Sequence, residues 1–150
     1  KINELAKFFK ISSLLSERID LLTIEKRILI KILALLIIKP QIFGIDNLLG
    51  YLNETDKKNL LTFCVSNKIT LINCTNNGED LLISDKVLLL NDMKTIFYGD
   101  KKELLNGNTI LPYIGINLPF TAEMSQNLVL YGIINKVYLD EKKLVDKIWK

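Results

Sequence analysis

The sequence predicts an α/β domain with a parallel sheet, and three observations predict it. Apolar runs bounded by breakers alternate with helical periodicities, in the order strand, helix, strand, helix, strand between Gln41 and Asn91. The first of these runs, "QIFGID", carries apolar residues on both faces, so it reads as a strand covered on both sides. A length of 150 residues, 49% hydrophobic and 25% charged, is ordinary for one domain with a real core.

The elements follow in order. "INELAKFFK" from Ile2 reads as an amphipathic helix, and Ile24 to Ile38 as a second helix ended by Pro40. That second stretch carries Lys31 and Lys39, whereas a membrane-spanning helix wants roughly 20 nearly uncharged residues. A buried helix is therefore expected. "NETDKKNLLTFCVSN" forms the next helix, with Asn53 or Thr55 as its cap and Leu60, Leu61, Phe63 and Cys64 on one face. "KITLINCT" is the second strand, "GEDLLIS" a short helix, and "KVLLLN" a third strand. "KTIFYGD" is a fourth, joined to the third by the turn "NDMK" as a hairpin. The chain opens at Lys1 inside a helical pattern, so it is expected to be a piece of something longer.

Charge and cysteine content narrow the chemistry. The 20 basic and 17 acidic residues, net +3, are interspersed rather than gathered into a basic tract, so no nucleic-acid partner is expected. There is no histidine, and Cys64 and Cys74 lack ligand spacing, which argues against zinc. Both are expected to be reduced core thiols.

In a parallel α/β sheet, chemistry collects at the carboxyl ends of the strands. Asp46 and Asn47 end one strand, and Thr75, Asn76 and Asn77 end the next. The two ends either face a common ligand or make turn hydrogen bonds, as short polar residues often do. The pattern by itself leaves both readings open.

At this point the residues resemble a family. "PQIFGIDNLLGYLN" is similar to the Walker B strand and D-loop of ATP-binding cassette ATPases, and "ITLINCTNN" to their switch strand. "LLTIEKRILIKILALLIIKP" resembles the signature segment and the helix behind it, with its glycines lost. The tail from Ile110 to Trp149 resembles the C-terminal extension of ATPase subunits from energy-coupling factor transporters, importers of vitamins and of metal ions such as cobalt or nickel.

The resemblance implies a partial P-loop NTPase three-layer sandwich with a mostly parallel sheet and a small helical extension. Residues 1–106 would be the C-terminal part of the nucleotide-binding domain and 107–150 a dimerisation element. It implies that Asp46 holds Mg²⁺, that Asn47 stands where the catalytic Glu does, and that Asn76 stands where the switch His does. Thr23, Glu25 and Lys26 would be the remains of the signature, and Asn53 would take the D-loop Asp position. The implied cofactors are ATP and Mg²⁺. The implied partners are a second ATPase subunit and a transmembrane coupling subunit, at the cytoplasmic face of a bacterial-type membrane. Leu144, Val145, Ile148 and Trp149 would form one apolar stripe, either at that subunit interface or in a packed appendage.

Departures from the pattern limit the activity implied. No G-x-x-x-x-G-K-[ST] occurs anywhere in the chain, so the phosphate cradle is absent. β-Branched Ile24 replaces glycine where backbone N–H groups would meet a phosphate. Asn47 cannot accept a proton, and a general base is typically worth roughly 10²–10⁴-fold in rate. The chain alone is expected neither to bind ATP tightly nor to hydrolyse it. Three readings follow: part of an ATPase subunit, a degenerate module that docks on an intact one, or an α/β domain unrelated to transport.

Overall fold

The computed structural model describes residues 1–106 and 110–149, which divide into two compact units, Lys1–Thr75 and Asn76–Lys150. The division expected between 106 and 107 falls at the edge of residues 107–109, outside the described residues.

The first unit contains α1 (Ile2–Phe8), α2 (Ile24–Leu36), β1 (Ile42–Asp46), α3 (Glu54–Ser66) and β2 (Thr70–Cys74). Short 3₁₀ turns that the periodicity did not reveal lie at Ser12–Ser16, Ile19–Leu21 and Leu49–Tyr51. Thr23 caps α2, its Oγ1 accepting the Lys26 N–H at 3.4 Å, and the helix stops short of Lys39 (φ 49°) and Pro40. Asn53 caps α3 in the same way, its Oδ1 accepting the Asp56 N–H at 2.8 Å. Helical spacing gives α2 and α3 their apolar stripes. Leu29, Ile32 and Leu36 of α2 and Leu60 of α3 are almost wholly buried and share one core with Phe43 and Ile45.

The strands β1 and β2 pair in parallel, from Ile42 opposite Thr70 to Asp46 opposite Cys74. The Asn47 N–H extends the ladder by one bond, to the Cys74 carbonyl at 2.8 Å. The expectation that β1 is covered on both faces is corrected. Burial alternates along it: Phe43 and Ile45 face the core, and Ile42 is 64% exposed. Cys74 is corrected for the same reason. The two-residue period turns Thr70, Ile72 and Cys74 to the open face, so only Cys64 is a core thiol, and burial pushes its pKa up.

The second unit begins with a 3₁₀ turn, Gly78–Ile83, and continues through β3 (Lys86–Asn91) and β4 (Lys94–Asp100). Helices α4 (Lys101–Leu105), α5 (Ile110–Tyr113), α6 (Phe120–Leu130) and α7 (Glu141–Ile148) follow. Its core holds Leu104, Leu105, Leu111 and Ala122, all fully buried. The fold class is α/β as predicted, but the parallel sheet is smaller than expected. Among the described residues β3 pairs with β4 and not with β2. The β3–β4 hairpin itself follows from local chemistry, since a two-residue turn closes it at little entropic cost.

The hairpin turn carries strain. Asp92 and Met93 both have positive φ, 47° and 57°, as a type I′ turn requires, and Met93 is fully exposed. Glycine is the preferred second residue of such a turn, and a left-handed L-residue costs roughly 1–2 kcal/mol. Met93→Gly is therefore expected to raise stability by about 1 kcal/mol, measured as the urea midpoint of the second unit. An unchanged or lower midpoint would show that the turn holds no strain.

The tail is held by buried polar contacts. The fully buried Ser125 hydroxyl accepts the Tyr138 N–H at 2.7 Å, and Gln126 Nε2 donates to the Leu105 carbonyl at 2.8 Å. Asp140 caps α7, its Oδ1 accepting the Lys143 N–H at 2.8 Å. Of the predicted stripe, Leu144 is buried, while Val145, Ile148 and Trp149 are exposed.

Candidate functional site

Asp46 ends β1 with its carboxylate exposed, level with Cys74 in the parallel register. The chain turns sharply at the next residue, because Asn47 sits at φ 50° while its N–H is still bonded to β2. This conformation suits the residue found there. Asn is several-fold enriched at positive φ, and Glu is not. Asn47→Glu is therefore expected to cost about 1 kcal/mol relative to Asn47→Gly, since only the glutamate meets the left-handed penalty. Chemical denaturation of the two variants measures the difference, and equal midpoints would refute it.

The donor set decides what a metal would find. Mg²⁺ is commonly held by one or two carboxylates together with substrate phosphates and several waters. Asp46 supplies one exposed carboxylate. Among the described residues no group of three or more His, Cys, Asp or Glu side chains could hold a metal ion. Asp46 fits a single, water-mediated contact to the ion and these residues by themselves make no magnesium cage.

Thr23, Glu25, Lys26 and Asn53 were expected at a nucleotide. Thr23 is occupied as the cap of α2. Glu25, Lys26 and Asn53 come together at the start of α3, around a residue the sequence reading passed over, Asp56. Asn53 Nδ2 donates to Glu25 Oε1 at 2.6 Å and to Asp56 Oδ2 at 2.9 Å. The Lys26 ammonium lies 3.1 Å from the same Asp56 oxygen. Only the spacing Asn53-x-x-Asp56, a cap followed by an acid three residues later, signalled Asp56 in advance. Ile24 is 60% exposed on the first turn of α2.

Asn76 opens the second unit and is exposed. Just beyond it lies an open cavity of about 470 Å³, lined by Asn77, Gly78, Glu79, Asn117, Phe120 and Glu123 among others. Two of these residues build the junction. Glu79 Oε1 accepts the Phe120 N–H at 2.7 Å and so satisfies a free donor at the start of α6. Gly78 is buried, and a Cβ placed on it would lie 1.8 Å from the Asn117 carbonyl oxygen. Sequence reasoning missed both, because their partners lie about forty residues away and no local pattern announces them.

No protein-family model matches the chain. It is 28% identical over 126 residues to the energy-coupling factor transporter ATP-binding protein EcfA1 of Lactobacillus delbrueckii subsp. bulgaricus, covering 81% of this chain and 45% of that protein. It is 27% identical over 149 residues to EcfA of Pediococcus pentosaceus, covering 95% and 53%. Among solved structures it is similar to cbiO1 from Clostridium perfringens, described as part of the ABC transporter complex cbiONQ. That match has a TM-score of 0.62 at 18% identity and covers 83% of this chain and 52% of the other. The chain thus spans about half the length of the curated relatives it matches. The structural likeness makes the fold part of an ABC ATPase fold.

Proposed function

We propose, on the premise that this chain is homologous to the ATP-binding proteins of energy-coupling factor transporters, that it is the C-terminal part of such a subunit. In this reading it belongs to an importer of vitamins or of metal ions of the cobalt or nickel kind, which is energised by ATP hydrolysis when the subunit is complete. It works at the cytoplasmic face of the membrane with a second ATPase subunit and a transmembrane coupling subunit. No helix among the described residues is long and apolar enough to cross a membrane. The observation that carries the reading is similarity running over 81–95% of this chain, through the β1–Asp46 segment and into the tail.

The roles of the residues follow as proposals. Asp46 would hold Mg²⁺ through water, and that ion would offset charge on the phosphates of a bound nucleotide. Asn47 stands at the position of the water-orienting acid, where an amide can donate and accept hydrogen bonds but cannot take a proton. Asn76 stands at the position of the switch histidine, where it can hydrogen-bond a phosphate oxygen without the ring's charge. Losing a general base costs roughly 3–5 kcal/mol of barrier. Asn53 takes the D-loop position.

A second reading is favoured by those two amides. In it the chain is a non-catalytic module that docks on an intact ATPase subunit. Both readings expect the purified chain to show no ATP turnover, so turnover that Asp46→Ala abolishes would sink both. Co-purification separates them. A docking module retains an intact ATPase subunit without nucleotide, whereas a subunit part does so only when its N-terminal portion is supplied.

A further inference from the structure

In the polar cluster between α2 and α3 only Asn53 has a role proposed above, and the contacts that join the two helices span 28–30 positions of the chain. Asp56 carries it. This side chain is 6% exposed, and a carboxylate so buried is tolerated only where hydrogen bonds and an opposite charge replace its water. It has three such supports. Asn53 Nδ2 donates at 2.9 Å and the Lys26 ammonium at 3.1 Å, and as the third residue of α3 it lies at the positive end of that helix. Glu25, one residue before Lys26, accepts the other proton of the Asn53 amide at 2.6 Å. Asn53 is then fully engaged, because its Oδ1 already accepts the Asp56 N–H.

We propose that Glu25, Lys26, Asn53 and Asp56 form an internal clamp that locks the first turn of α2 to the first turn of α3. Two adjacent residues of one helix grip the cap and the third residue of the other, so neither helix start opens without breaking contacts in both. Glu25 and Lys26 are spent on this contact. The segment between Asp46 and Asn53 is consequently pinned at both ends, by the Asn47 N–H bond to Cys74 and by the clamp. Asp56 acts in this as a positioning residue, through Lys26 and Asn53.

Hydrogen exchange of single amides in the whole chain tests the clamp. The Arg27 N–H, bonded to the Thr23 carbonyl at 2.9 Å, reports the start of α2, and the Lys57 N–H, bonded to the Asn53 carbonyl at 3.0 Å, reports the start of α3. Asp56→Asn is expected to speed exchange at Arg27 at least tenfold, and Lys26→Met to speed it at Lys57 at least tenfold. The double variant should match the faster single variant instead of multiplying the two effects. Effects confined to the mutated helix, or multiplying in the double variant, would overturn the proposal. Lys26→Met removes the more exposed partner, so its reading at Lys57 decides the matter should Asp56→Asn fail to fold.

Discussion

Gly78→Ala is expected to destabilise the second unit by about 3 kcal/mol, the upper end of what overpacking a tight site costs. The added Cβ would lie 1.8 Å from the Asn117 carbonyl oxygen and within 3.6 Å of Ile116 Cγ2. The first of these neighbours is backbone, which cannot rotate aside as a side chain can. Relief therefore requires residues 116–118 to move away from the 3₁₀ turn at Gly78–Ile83. That movement also pulls at the Glu79 bond to the Phe120 N–H, so the start of α6 loses its acceptor. Urea denaturation gives the size of the loss, and amide exchange within α6 gives its location. A midpoint within the range of ordinary surface substitutions would refute the close approach.

Leu60→Ala is expected to cost the first unit about 3 kcal/mol, within the span measured for emptying a leucine site in a core. Leu60 is fully buried on α3, in the cluster that also holds Leu29, Leu36, Phe43 and Ile45. This cluster is what supports β1 from below, so the cavity should weaken the strand that presents Asp46. The expected signature is a lower denaturation midpoint together with faster exchange of the Asn47 N–H, the last bond of the β1–β2 ladder. Leu61→Ala, on the same helix but only partly buried, should cost clearly less. If the two variants lost equal stability, α3 would not be oriented as described.

Much of the local architecture was legible because local chemistry writes it. Asn53 was readable as a cap from its place before an apolar periodicity, and the Asp92–Met93 hairpin from a two-residue turn between strand-like runs. The end of β1 at Asp46 was readable too, since an apolar run stops there on a carboxylate. Other features were not. "QIFGID" carries apolar residues at both parities, which signals that two faces exist but cannot say that Ile42 faces outward. The same limit misjudged Cys74. Asp56 looked like one more charge in "NETDKK", because its burial comes from Lys26, thirty residues earlier.

What the sequence by itself determined is the helices α1 to α3, the four strands, the Asn53 cap and the likeness to energy-coupling factor ATP-binding proteins, which stands at 27–28% identity. These rest on near-neighbour interactions: periodicity, capping and turn conformation act within about four residues. What only the tertiary structure decided is which side chains meet. It turned Glu25, Lys26 and Asn53 toward Asp56, brought Gly78 against Asn117, and left β3 paired with β4 alone among the described residues. Such meetings depend on chain closure over tens of residues and on close packing, and neither leaves a local trace in the order of amino acids.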